Sequence, residues 1–269
     1  TKNNIRGSDI MITIILTSRV KNNKDSNIDN LLSSLEKCGG NKDNCEVLIK
    51  YDFDDDSQPE ESYFDKFPFA VKKFIWNRGE GRHSFHLDHF YLFAQRNLKS
   101  RFALLCADDF TFTKNNFIDD ILSIEDEYCF VGPNRPRVEL YSGCWQNPQV
   151  MEVWKHNEGV SLPCFSVRCI EVLQNYGWQC NGDNWQTLLH ILMYEKFGLD
   201  VWKTVPSFFT RNPTDGSSGY GESFNNMEMD GSKNPENKYY FDLVEQQAKN
   251  LYLNIIADKL IKRHKEANE

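Results

Sequence analysis

The chain has 269 residues, of which 40% are hydrophobic and 26% charged, so it is long enough to bury a full core. Its net charge of −8 argues against a nucleic-acid partner, which needs a basic surface. No stretch approaches the roughly twenty apolar residues of a transmembrane segment. The 8 cysteines include no C-x-x-C pair, which favours reduced, buried thiols. These features predict a cytoplasmic protein.

Strand and helix patterns alternate over the first part of the chain. Residues 11–17 form a β-branched apolar run and predict the first strand. Residues 27–37 repeat apolar side chains at helical spacing and end before two glycines. Residues 45–51 and 71–76 predict the second and third strands. This alternation predicts a parallel sheet with right-handed crossovers.

The most informative run is residues 101–107, which follows a predicted helix over about 86–97. It is apolar on both faces, as in a buried central strand, and it ends in Asp108 and Asp109. Adjacent carboxylates at such a position repel each other unless a positive group lies beside them. A hard divalent cation held by carboxylate and phosphate oxygens meets this need. The alternative is that the two acids only end the strand and begin a turn.

The second part of the chain is less regular. Its predicted elements are a helix at 116–125, a strand at 128–133, helices at 167–177 and 184–197, and a strand at 200–205. Residues 138–166 predict an irregular aromatic section, and residues 208–235 a long mobile loop. Residues 237–267 predict a long helix that packs on the sheet or mediates a homodimer. Mixed charges on this helix disfavour a membrane-surface role.

Polar residues follow each of the four strands in the first part of the chain. Ligands bind at the carboxyl ends of the strands in an open parallel sheet. The residues expected to meet at this edge are Thr17, Arg19, Asp52, Asp54, Arg78, Arg82, Asp108 and Asp109.

The order of these segments resembles nucleotide-sugar-dependent glycosyltransferases of the A-type fold, especially the large inverting family with a D-x-D signature. The matching segments are residues 14–19 (IILTSR), 52–54 (DFD), 77–82 (NRGEGR), 107–109 (ADD) and 181–185 (NGDNW). The resemblance covers roughly residues 11–205. It implies an α/β fold with a mostly parallel, twisted central sheet flanked by helices. The expected parts are a nucleotide-sugar-binding half (11–135), an acceptor-binding half (136–235) and a C-terminal helix (236–269).

The resemblance also assigns the donor to residues at the strand ends. The residues implied for the nucleoside and the diphosphate are Thr17, Arg19, Asp52, Asp54, Arg78 and Arg82. The alternative for the arginines is an ordinary surface position, and for Asp52 it is a solvated acidic loop. For Asp55 and Asp56 the solvated loop is the preferred interpretation.

Asp108 matches the final acid of the D-x-D pattern, which binds Mn²⁺ or Mg²⁺ in that family, and Asp109 is a supporting acid. The first acid of the pattern is replaced by Cys106, and a buried thiol is a poor ligand for a hard cation. The metal is therefore expected to rest on Asp108, with further oxygen atoms from the diphosphate and from water.

Asp183 precedes a predicted helix, where the family places its general base, and Trp185 would line the acceptor site. A carboxylate there can take the proton of the attacking hydroxyl. The alternatives are a helix N-cap for Asp183 and a core position for Trp185. The predicted function is transfer of a hexosyl or deoxyhexosyl group, with inversion, from a nucleotide-diphosphate sugar to a glycan or other hydroxyl acceptor. The alternatives are a nucleotidyltransferase and a non-catalytic nucleotide- or sugar-binding protein.

Overall fold

A computed structural model describes residues 11–18, 27–76, 89–108, 110–135, 164–173, 182–211 and 235–267. The first part of the chain alternates strands and helices as the apolar patterns predict. Its elements are β1 (Ile12–Ser18), α1 (Asn27–Lys37), β2 (Cys45–Asp52), a 3₁₀ helix (Glu61–Lys66), β3 (Ala70–Trp76), α2 (His89–Arg96) and β4 (Phe102–Ala107).

The second part contains shorter strands and longer helices. Its elements are β5 (Phe110–Phe112), α3 (Phe117–Leu122), β6 (Phe130–Gly132), β7 (Cys164–Ser166), α4 (Val167–Leu173), α5 (Gly182–Phe197), β8 (Trp202–Thr204), β9 (Phe209–Arg211) and α6 (Pro235–Glu266). The predicted loop at 208–235 is wrong at its start, where β9 pairs with β5. The predicted irregular section at 138–166 is wrong at its end, where β7 lies. Strands of three residues are too short to show a period of two.

Within the described ranges, the strands of the main sheet follow the order β3-β2-β1-β4-β7-β6-β8. β1 is parallel to β2 and to β4, and β2 is parallel to β3. β7 is antiparallel to both of its neighbours, β4 and β6, and β8 is parallel to β6. The predicted α/β fold with a mostly parallel central sheet flanked by helices is confirmed.

Helices cover both faces of this sheet. On the α1 face, Leu16 of β1 belongs to the same buried cluster as Leu31 of α1. On the α5 face, Ile15 belongs to a cluster that includes Leu189 of α5 and residues of α2, α4 and α6. A strand that is buried on both faces is apolar at successive positions, which explains the apolar run at residues 14–16 of β1. No helix in the described ranges is both long enough and apolar enough to cross a membrane.

The direction of α5 follows from the sheet. β8 runs in the direction of β4, because β7 is antiparallel to both β4 and β6 while β8 is parallel to β6. Residues 198–201 alone connect the end of α5 to the start of β8. α5 therefore ends near the amino edge of the sheet. Its 16 residues are about 24 Å long, so its first turn lies toward the carboxyl edge.

The α5 face contains a buried histidine, His190. Among the described residues, neither of its ring nitrogens has a hydrogen-bond partner, and the same holds for Oε1 of Gln186 one turn earlier and for Nε1 of Trp202 on β8. The rings of His190 and Trp202 lie 5.6 Å apart between centroids. Burial lowers the pKa of His190 to about 4, although the charge of Asp200 acts in the opposite direction. The imidazole is therefore neutral at neutral pH.

This histidine is expected to make the fold sensitive to mild acid. The pKa of histidine in an unfolded chain is about 6.5, so the unfolded state binds more protons than the folded state between about pH 4 and pH 6.5. The contribution of His190 to the free energy of unfolding is fully present above this pH window. It falls by up to about 3 kcal/mol as the pH falls through the window. His190→Phe keeps a ring and removes the titration, so the pH slope measured by urea unfolding should flatten. His264→Phe, at an exposed position, is the matched control and should keep the slope. An unchanged slope in His190→Phe would show that other groups cause it.

Candidate functional site

Three predicted site residues lie at the carboxyl edge of the sheet. Thr17 is the penultimate residue of β1, Asp52 is the last residue of β2, and Asp108 directly follows β4. These strands are parallel neighbours in the order β2-β1-β4, and adjacent strands in a sheet are about 4.8 Å apart. The fold therefore brings the three residues to one edge, and their roles in binding stay predictions.

Asp108 is oriented by the end of the neighbouring strand. The hydroxyl group of Ser18, the last residue of β1, donates a hydrogen bond of 2.8 Å to Oδ2 of Asp108. Ser18 is buried, whereas Asp108 is partly exposed at the edge of the sheet. A hydrogen bond from a buried donor restricts the rotamer of the carboxylate.

Tyr51 lies beside this pair on the α1 face. It is the register partner of Ser18 and is fully buried. Burial raises the pKa of Tyr51, and the negative charges of Asp108 and Asp55 raise it further. The phenol therefore keeps its proton near two carboxylates. Ser18, Tyr51, Asp55 and Asp108 form an oxygen-rich group, which we call the edge cluster.

Asp55 corrects one prediction from the sequence. The solvated-loop interpretation is wrong for Asp55, which is 0% exposed, while Asp56 is exposed as expected. Asp55 is buried because it builds the turn after β2. Its N–H donates to the carbonyl of Asp52 at 3.0 Å, and its Oδ1 accepts the N–H of Ser57 at 3.2 Å. The sequence signal is the aspartate itself, because an aspartate just after a strand can accept the N–H two residues later in an Asx-turn.

Asp52 carries its own counter-charge on the α5 face. Nζ of Lys50 lies 2.6 Å from Oδ1 of Asp52, and the two side chains are 4% and 13% exposed. Lys50 is also the register partner of Thr17, so the three residues share this face of the sheet. A buried acid paired in this way presents a polar group of little net charge. Sequence reasoning missed Lys50, although a lysine two residues before a strand-end aspartate is a signal for such a pair.

Of the other residues predicted for the donor site, the structure describes only some. Asp54 is a partly buried residue of the turn after β2. Arg19, Arg78, Arg82 and Asp109 lie outside the described residues, so their predicted roles stay predictions.

Asp183 lies in the first turn of α5. The helix begins at Gly182, so the predicted start at residue 184, with Asp183 as the N-cap, is wrong. The side chains of Asp183 and Trp185 are outside the described part of the structure.

The first turns of α5 are attached to β7 next to β4. Nε2 of Gln186 donates a hydrogen bond of 3.2 Å to the carbonyl of Cys164. Cys164 begins β7 and is the register partner of Leu104 in β4. Because β7 is antiparallel to β4, it begins on the side of the sheet where β4 ends. The backbone of Asp183, one turn before Gln186, therefore lies toward the edge that carries Asp108.

Asp108 supplies one carboxylate ligand of the kind that a hard cation prefers. No group of three or more His, Cys, Asp or Glu residues within the described ranges could hold a metal ion by itself. Cys106 is 1% exposed and packs in the apolar cluster of the α1 face. The edge cluster offers only carboxylate and hydroxyl oxygens, which suit Mg²⁺ or Mn²⁺. These residues fit one carboxylate ligand, Asp108, with the other ligands coming from elsewhere.

Comparison with solved structures identifies the fold. The structure is similar to that of S. aureus TarS 1–349 in complex with UDP, with a TM-score of 0.50 and 12% sequence identity. The match covers 91% of this chain and 70% of the TarS chain. TarS is an A-type glycosyltransferase. The chain has the A-type glycosyltransferase fold.

Two further matches have lower scores. A second crystal structure of S. aureus TarS 1–349 matches 75% of this chain with a TM-score of 0.47 and 13% identity, and the chain spans 60% of its length. The match to mouse xyloside xylosyltransferase 1 in its apo form covers 72% of this chain and 84% of the mouse chain, with a TM-score of 0.42 and 7% sequence identity. No family model and no curated protein sequence matches the chain.

Proposed function

We propose that this protein is a metal-dependent glycosyltransferase that uses a nucleotide-diphosphate sugar as donor. The observation that carries the proposal is the hydrogen bond from Ser18 to Asp108 at the carboxyl edge of the parallel strands. It holds one carboxylate in a fixed orientation at the edge where β1, β2 and β4 end, and this class of sheet binds ligands there. The presence of UDP in a TarS structure of the same fold supports a nucleotide donor.

The donor would bind across the ends of β1, β2 and β4. In this proposal Thr17, Arg19, Asp52 and Asp54 contact the nucleoside, and the ion pair with Lys50 orients Asp52. Arg78 and Arg82 bind the diphosphate, since guanidinium groups match phosphate oxygens. Asp108 would hold Mn²⁺ or Mg²⁺ with support from Asp109, and the ion would offset the charge of the departing diphosphate.

Asp183 is proposed as the general base, with Trp185 beside the acceptor. The direction of α5 supports this assignment, because its first turn lies toward the edge that carries Asp108. A carboxylate that takes the proton of the acceptor hydroxyl activates it for direct displacement of the diphosphate. Direct displacement inverts the anomeric centre. The donor sugar is proposed to be a hexose or deoxyhexose, and the acceptor a glycan or another hydroxyl compound.

A thermal-shift panel tests this function. We expect nucleoside diphosphates and their sugar derivatives to raise the melting temperature only with Mn²⁺ or Mg²⁺ present. Binding at about a hundred times Kd adds about 2.7 kcal/mol of stability, which corresponds to several degrees. A shift with nucleoside triphosphates and release of pyrophosphate would instead indicate a nucleotidyltransferase. Binding without transfer to any hydroxyl acceptor would indicate a non-catalytic protein, and no shift with any nucleotide would contradict the proposal.

A further inference from the structure

The C-terminal helix α6 has two apolar faces on opposite sides. Val244, Ala248, Leu251 and Ile255 recur at spacings of three and four residues and are buried in the cluster of the α5 face. This face attaches the helix to the body of the protein, as the sequence predicts. It ends at Ile255, while the helix continues to Glu266.

The second apolar face is exposed. Leu253, Leu260 and Ile261 are 53%, 59% and 53% exposed, and Ala257 lies between them. Residues two apart in a helix are rotated by roughly 200°, so Leu253 lies opposite the buried Leu251. We call Leu253, Ala257, Leu260 and Ile261 the outer face. Packing against the body of the protein cannot explain it.

The rest of this helix end is basic. Its exposed cations are Lys259, Lys262, Arg263 and Lys265. At roughly 100° per residue, Arg263 and Lys265 lie on the two sides of the outer face, and Lys259 and Lys262 lie on the far side of the helix. Two acids, Asp258 and Glu266, lie in the same part of the helix. Asp258 accepts hydrogen bonds from Tyr128 at 2.5 Å and from Arg168 at 3.0 Å. This helix end is positive on a chain whose formal net charge is −8.

We infer that the outer face of α6 binds the surface of an anionic lipid bilayer. A helix with an apolar face and flanking lysine and arginine side chains lies in the bilayer interface, with its apolar side chains below the headgroups and its cations beside the anionic ones. Nothing in this inference depends on the proposed transferase activity.

A second copy of the chain fits this surface less well. Two copies of the helix end would bring their basic residues together, and like charges repel. Four side chains also bury much less than the roughly 1,200 Å² of a standard protein interface. An anionic bilayer supplies opposite charge and accepts an apolar face of any size.

Vesicle sedimentation of the full chain tests the inference. We expect binding to vesicles of equal parts phosphatidylglycerol and phosphatidylcholine, weakened by added salt, and little binding to phosphatidylcholine alone. Equal binding to both vesicles, or to neither, would overturn it. Light scattering after gel filtration covers the alternative, since a dimer that dissociates when the outer face is altered, without lipid binding, would assign the face to a second copy.

Three variants assign the binding to the outer face. Leu260→Ser with Ile261→Ser should weaken binding by about tenfold or more, because two apolar side chains no longer enter the bilayer. Arg263→Glu with Lys265→Glu should weaken it by at least about tenfold through charge alone. Ile75→Ser on β3 removes a similarly exposed apolar side chain, 57% exposed, and should leave binding unchanged. All these positions are exposed, so circular dichroism should show an intact fold. Full binding by the first variant would contradict the inference.

Discussion

Asp108→Asn is expected to abolish metal-dependent binding of the nucleotide diphosphate and to lower transfer by about a thousandfold. The amide keeps the size of the side chain, and its oxygen can still accept the hydrogen bond from Ser18. Only the negative charge and one oxygen donor are lost. A catalytic metal contributes several kcal/mol to stabilisation of the leaving group, which corresponds to a loss of this size. Calorimetric titration with and without Mn²⁺, together with release of the nucleoside diphosphate, measures both effects.

Two further variants separate charge from position. Ser18→Ala leaves the carboxylate but removes the hydroxyl that orients it, so transfer should fall by roughly tenfold while metal dependence is kept. Asp56→Asn removes an equally charged but exposed acid from the loop after β2 and should change neither measurement. If Asp108→Asn still showed a metal-dependent shift, the metal would bind elsewhere, and Asp108 would only end the strand.

The long strands could be predicted from the sequence because their environment leaves a strong pattern. β1, β2 and β4 lie inside the sheet with helices on both sides, so each contains a run of successive buried apolar residues. The short strand β7 could not be predicted in the same way. Its three residues pair with β4 from about sixty positions further along the chain, and this pairing is set by tertiary contacts.

The site was predictable only where it depends on topology. A parallel sheet brings its strand ends together, which is why Asp52 and Asp108 could be placed at one edge before the register was known. Ser18, Tyr51 and Lys50 depend on which residues face each other across strands. Ser18 and Asp108 are 90 residues apart in the chain, and no local pattern joins them. The register of β1 against β2 and β4 supplies that information.

Asp183→Asn is expected to leave donor binding intact and to lower transfer by about a hundredfold to ten-thousandfold. The backbone of Asp183 belongs to the first turn of α5, which Gln186 fastens to β7, so the exchange should not move the helix. An amide cannot accept the proton of the acceptor hydroxyl, and loss of a general base has an effect of this size. Release of the nucleoside diphosphate in the presence of an acceptor measures transfer, and calorimetric titration with the donor measures binding.

The comparison of the two aspartate variants separates the roles of the two residues. Asp108→Asn should lose metal-dependent binding and transfer together, whereas Asp183→Asn should lose transfer alone. If Asp183→Asn retained full transfer, its carboxylate would serve only the helix dipole, and the variant would show a stability loss of about 0.3–1 kcal/mol instead. If it lost donor binding as well, Asp183 would belong to the donor site. Only the loss of transfer with unchanged binding supports a base at the start of α5 acting across the edge from Asp108.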